Sequence, residues 1–212
     1  MSYDHILVSR NGPIGTVAFN RPRVLNAFHN DLMHETLTAV SELNADDAVE
    51  VIVVRGEGRA FSAGFDLKAS AERKMEDVQD WEVQMRLQFD FIMQFWHSPK
   101  PTIAAVHGHC LAGAFELALA CDITVAAEGT KFGEPEVRFG TGIIAMLLPW
   151  VAGPKASKEL LLTGNDQVSA ADALRLGIVN RVVPADEVIS TAEALATAMA
   201  RASTRSVRMT KQ

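Results

Sequence analysis

Ile103-Ala104-Ala105-Val106-His107-Gly108-His109-Cys110-Leu111-Ala112-Gly113-Ala114-Phe115-Glu116-Leu117-Ala118-Leu119-Ala120-Cys121, followed after Asp122 by Ile123-Thr124-Val125-Ala126-Ala127, decides how this chain folds. The apolar run Ile103 to Val106 reads as a buried strand, and His107-Gly108-His109 as a glycine-bearing turn. Ala112 to Cys121 reads as a helix that is apolar on every side, and Ile123 to Ala127 as the next strand. A buried helix joined to buried strands by such short links belongs to an α/β domain, whose ligands gather at strand ends. Glu116 is the only charge on that helix. Its i±3 and i±4 neighbours are Gly113, Leu119, Ala112 and Ala120, so no basic partner is available on the same helix. Burial raises the pKa of such a carboxyl towards the range useful for proton transfer.

Working outward, Ile6 to Ser9 and Thr16 to Asn20 read as two strands turned by Asn11-Gly12-Pro13, and Asn30 to Leu43 as a helix. Val51-Ile52-Val53-Val54 is a buried strand. The stretch Arg55 to Asp66 is too rich in glycine and small residues for a helix and too long for a turn, which suggests a working loop. Asp77 to His97 forms an amphipathic helix with Trp81, Met85, Phe89, Ile92, Met93 and Trp96, stopped by Ser98-Pro99-Lys100-Pro101. Further helices are expected at Ile143 to Val151, Ser157 to Leu162, Ser169 to Leu176 and Glu187 to Ala200, with a strand at Ile178 to Val183. There is no internal repeat, low-complexity tract or linker, so residues 1–212 are expected to form one domain.

Composition removes several function classes. A chain of 212 residues hides about 70% of its extended surface on folding and needs no metal or disulfide staple. Its 20 basic residues are outnumbered by 26 acidic ones, and they are dispersed. That balance lacks the footprint of a nucleic-acid or anionic-membrane binder. Cys110 and Cys121 fit neither a disulfide framework nor paired metal-ligand motifs and suggest a reducing, cytoplasmic setting. No signal-like or membrane-spanning run is visible.

Two further elements stand beside Glu116. Phe132-Gly133-Glu134-Pro135-Glu136-Val137 places two carboxylates on a stiff loop after a strand, and a second acid near Glu116 allows base and acid roles to be divided around one water. The small-residue turns Ser62-Ala63-Gly64-Phe65 and Gly108 to Gly113 each free backbone N–H groups, the second at a helix N-terminus that favours a developing oxyanion. Ala60-Phe61-Ser62-Ala63-Gly64 approaches a nucleophile elbow but lacks its first glycine, the following helix and ordered His and Asp partners. His107, His109 and Cys110 lack a second cluster and read as packing and turn residues.

Taken in order, several of these segments resemble the crotonase superfamily of enoyl-CoA hydratases and isomerases. They are Asn20-Arg21-Pro22-Arg23-Val24-Leu25-Asn26-Ala27, Ala60 to Leu67, Pro101 to Gly108, Ala112 to Ala118, Phe132 to Glu136, and Leu162-Thr163-Gly164 with the two segments Ala170 to Ala173 and Gly177 to Asn180. The resemblance implies a crotonase (ClpP-like) fold of repeated ββα units, trimers or dimers of trimers, and an acyl-CoA thioester bound with no metal or separate cofactor. It maps an oxyanion hole onto the N–H groups of Phe65 and Gly113, and the hydratases' two glutamates onto Glu116, which would take a proton from water, and Glu136, which would protonate C2. Arg23, Ala63 and Asp66 would contact CoA, Ala63 through its backbone to the adenine and Arg23 near the phosphates. The resemblance also implies that the helical part from about 143 is truncated, because relatives continue past Val207 to Gln212 into helices that cover the site.

The sequence departs from that pattern in three places. The glycine triplet is Ala112-Gly113-Ala114, the glycine-rich stretch after Glu136 is Thr141-Gly142-Ile143-Ile144-Ala145-Met146-Leu147, and Ile144 stands where dienoyl-CoA isomerases and aryl-CoA dehalogenases carry an aspartate. Two glutamates and no third acid favour hydration of a 2-enoyl-CoA. Δ3-Δ2 enoyl-CoA isomerisation is the alternative, and a catalytically weak acyl-CoA or partner-binding protein is the alternative of another class.

Overall fold

The computed structural model describes residues 3–211. The chain begins with the antiparallel pair β1 (Ile6–Asn11) and β2 (Ile14–Phe19), then α1 (Asn30–Ala45) and β3 (Val51–Gly56). Next come α2 (Leu67–Glu72), α3 (Val78–His97), β4 (Thr102–Val106), β5 (His109–Leu111) and α4 (Gly113–Ala120). β6 (Ile123–Ala127) and β7 (Lys131–Gly133) follow, then α5 (Leu148–Val151), α6 (Gly153–Thr163), β8 (Val168–Ser169) and α7 (Ala170–Arg175). The chain closes with β9 (Arg181–Val183), α8 (Val188–Ala200) and α9 (Thr204–Lys211).

Six strands form one sheet in the order β1-β2-β3-β4-β6-β9, parallel from β2 onward. Its central strands are buried on both faces, which is why Val51 to Val54 and Ile103 to Val106 are continuous apolar runs rather than alternating ones. One face packs Val17, Phe19, Ile52 and Val54 against α1, α3 and α4; the other packs Val51, Val53, Ile103 and Val125 against α8.

A second, small sheet, β5-β7-β8, explains how the site is assembled. β4 leads into β5 and α4, β6 leads into β7 and a 3-10 helix at Glu136–Phe139, and β3 leads through Ser62, bridged in parallel to Cys110, into α2. This is a strand–strand–helix unit used three times. Because β5 and β7 run parallel, with Leu111 beside Gly133, the segments that follow the small-sheet strands emerge side by side.

The structure differs from the sequence reading in instructive places. The helix expected from Ile143 is helical only at Leu148–Val151, because residues 144 and 145 turn their N–H groups onto Glu116 instead of into a helix ladder. His109 is a strand residue, not part of the turn, and the sequence pattern does not predict β7, β8, α2 and α9. On α3 the buried face is Gln84, Phe91, Ile92, Met93 and Phe95; Trp81, Met85, Phe89 and Trp96 are exposed, so four of the six apolar residues expected to line this helix lie outside the core.

Candidate active site

Backbone donors come first. Gly64 and Ala112 both have positive φ, 87° and 56°, and they pack against each other. A Cβ on Gly64 would lie 2.6 Å from the Ala112 Cβ and 3.2 Å from the Gly113 nitrogen, so only glycine allows the two turns to touch. A Cβ on Gly113 would lie 2.4 Å from the Phe65 ring. Gly113 is the first residue of α4, and neither its N–H nor that of Phe65 has a hydrogen-bond partner among the described residues. Two free donors on neighbouring turns, one at a helix N-terminus, suit a developing negative charge.

The turn at 62–65 is held from outside the site. Asn26, fully buried and itself at φ 54°, donates through Nδ2 to the carbonyls of Glu57 (2.9 Å), Ala60 (2.8 Å) and Phe61 (3.2 Å). Its Oδ1 accepts from the Arg21 N–H at 2.8 Å. The sequence pattern places Asn26 within a family-like motif but points to no role for it. Ser62 is buried, with its hydroxyl between the Asn26 carbonyl and the Gly64 N–H, which leaves no nucleophile there.

Glu116 is buried, and its carboxylate accepts from the N–H groups of Ile144, at 3.3 Å, and Ala145. Burial pushes its pKa up to about 8, against the pull of those two donors and helped by the negative charge of Glu136. Glu136 opens the 3-10 helix and is 8% exposed, and burial raises its pKa against the pull of its own backbone N–H and of the neighbouring Glu134. The sequence reading gives roles to Glu116 and Glu136 only; the structure brings Glu134 in beside them. Glu134 is 2% exposed, and oxygens of Glu116, Glu134 and Glu136 lie within 4.8 Å of one another. The signal that could have revealed Glu134 is Gly133, whose Cβ would collide with Asn165 and Asp166, pinning the loop so that both residues flanking Pro135 are buried.

Glu134 and Glu136 line a cavity of about 280 Å³ with Thr141, Ile143, Met146 and Lys158. Ile143 also lines an adjacent groove of about 540 Å³, whose other wall is Trp81, Met85 and Phe89 of α3. Glu116 lies behind residues 143–145 and does not line either space.

The remaining predicted residues are dispersed. Arg23 is exposed and unpaired among the described residues. The Ala63 N–H is bonded to the Leu25 carbonyl at 3.0 Å, which leaves the Ala63 carbonyl as the free backbone group. Asp66 accepts from Arg21 at 3.0 Å and from the Ala69 N–H at 3.1 Å, capping α2, so its carboxylate is engaged in the protein's own bonds. His107, His109 and Cys110 do not converge; His107 bonds the Gly58 carbonyl at 2.9 Å. His5, His29 and Asp31 do have ligand atoms within 4.8 Å, at a half-exposed position where His29 caps α1.

The family model for enoyl-CoA hydratase/isomerase matches residues 9–212. A Mycobacterium bovis protein named "Probable enoyl-CoA hydratase" is 36% identical over all of this chain and 81% of its own length. The crotonyl-CoA hydratase of Syntrophomonas wolfei is 33% identical over 100% and 81% of the two chains. The crystal structure of an enoyl-CoA hydratase/isomerase from Xanthobacter autotrophicus Py2 superimposes with a TM-score of 0.97 at 46% identity, covering 99% of this chain and 78% of that one.

Proposed function

Because the chain belongs to the enoyl-CoA hydratase/isomerase (crotonase) family, we propose that it hydrates a 2-enoyl-CoA thioester to the 3-hydroxyacyl-CoA. The observation that carries this reading is the approach of Glu116 and Glu136 within 4.8 Å in a buried setting where, among the described residues, no basic side chain is bonded to either. In this reading the N–H groups of Phe65 and Gly113 hold the thioester oxygen as the enolate forms. Glu116 takes the proton of a water attacking C3, and Glu136 gives a proton to C2. Each of the two backbone N–H donors is worth about 2.7–4 kcal/mol in the transition state. Arg23 and the Ala63 carbonyl are offered to CoA, and Asp66 fixes the turn that presents Ala63. The groove between α3 and Ile143 receives the acyl chain. No metal or separate cofactor enters this scheme. The assembly proposed is a trimer or dimer of trimers, and the free, buried Cys110 and Cys121 fit a reducing cytoplasm. Among the described residues no helix is long and apolar enough to cross a membrane.

One observation favours the second reading, Δ3-Δ2 isomerisation: of the pair, only Glu136 faces the cavity. Purified protein given crotonyl-CoA should lose the enoyl-thioester absorbance, and a 3-enoyl-CoA should gain it only if the protein isomerises. Binding of CoA esters with no turnover of short, long or branched enoyl-CoAs would leave a binding protein and remove the hydratase reading. In the hydratase, Glu136→Gln should lower kcat by about 10²–10⁴ with little change in KM.

A further inference from the structure

Three carboxyl groups whose oxygens lie within 4.8 Å of one another cannot all be ionised in a buried space. The groups facing Glu134 do little to relieve this. Glu116 comes from α4 and Glu136 from its own loop; Cys110 lies close on β5, where it is buried as the thiol. Lys158 of α6 lines the cavity but is exposed, and Arg138 is spent on Asp166. Glu134 Oε2 and Glu136 Oε2 are both buried without a fixed donor among the described residues.

We propose that Glu134 is a positioning residue for the glutamate pair: a neutral carboxylic acid that donates its proton in a hydrogen bond to Glu136. This rests on the hydratase reading and extends it to the resting charge of the site. Burial and the two neighbouring carboxylates hold Glu134 protonated well beyond the usual carboxyl range. When Glu136 protonates C2, its O–H bond breaks, the C2–H bond forms and the electron pair stays on Glu136. Glu134 keeps its own proton and donates to that new carboxylate. The proton taken from water rests on Glu116 and returns to Glu136 through solvent once product leaves. A donor that favours ionised Glu136 makes it the stronger acid.

The test uses Glu134→Gln, which keeps a neutral donor, and Glu134→Leu, which removes it, each checked for fold by circular dichroism. With crotonyl-CoA, the alkaline limb of the kcat/KM profile should move up by about one pH unit in Glu134→Leu and return to the wild-type position in Glu134→Gln. If Glu134 is instead ionised, both variants remove a negative charge and both limbs move down, which overturns the proposal. Folded variants that lose rate with no displacement of the limb also overturn it, because that is a structural role. Infrared spectroscopy gives a readout free of turnover: at pH 7.5 the wild type should show a protonated carboxyl band that loses one group's intensity in Glu134→Gln. Unchanged intensity overturns the proposal, whereas absent turnover with the band present overturns only the hydratase reading.

Discussion

The cost of the site is concentrated in single residues. Glu116 ionises in the unfolded chain near pH 4.5 but in the folded protein only near 8. Between those values the unfolded state has released a proton that the folded state keeps, so rising pH destabilises the fold, by up to about 1.4 kcal/mol per pH unit for one proton. Thermal melts from pH 5 to 8 should show a falling Tm in the wild type and a flatter line in Glu116→Gln. An unaltered slope would mean that Glu116 is not the group responsible. Ala112 carries a second cost, φ 56° with ψ −137°, a region that suits glycine. Ala112→Gly should gain about 1 kcal/mol, a Tm increase of about 2–4 °C, and unchanged or lower Tm would remove the strain argument.

At the scale of elements, sequence and structure agree where one local rule dominates. The helix 113–120 and the strand 123–127 were legible because an apolar run of helical length and one of strand length have few other outcomes. Glu116 was legible because a lone acid on such a helix is conspicuous. Residues 143–147 were not, because their apolar content suits a helix and only the distant Glu116 carboxylate diverts their N–H groups. Glu134 was half legible: the loop was visible, but not that both of its acids would be buried. Asn26 stayed hidden because its work is done on carbonyls more than thirty residues away. Asn26→Ala strands those carbonyls, and a loss of about 2–4 kcal/mol is expected. The 62–65 turn that presents Phe65 N–H should then loosen, so kcat should fall more than KM rises; an activity profile like wild type would show that the turn holds itself.

For the whole molecule, long-range ties join α9 to the segments that flank β4. Lys211 on α9 reaches the carbonyls of Phe95 at 2.9 Å and Lys100 at 3.0 Å and pairs with Asp122 at 2.8 Å, while Lys100 caps the carbonyls of Leu43 and Asp46. Lys211→Ala should cost about 1–3 kcal/mol, read in urea melts, with faster amide exchange in α9 than elsewhere. Equal exchange throughout would mean that α9 is held by contacts other than those of Lys211, such as the Arg208–Glu50 pair. The two free cysteines add a practical property. Cys110 lies in β5 beneath the site, and Cys121 ends α4; both are buried, and burial keeps both as unreactive thiols. They are therefore built-in clocks: a thiol reagent can label them only while the protein is open, and the time course at each position times the opening of the floor of the site and of the end of its central helix, without an added dye.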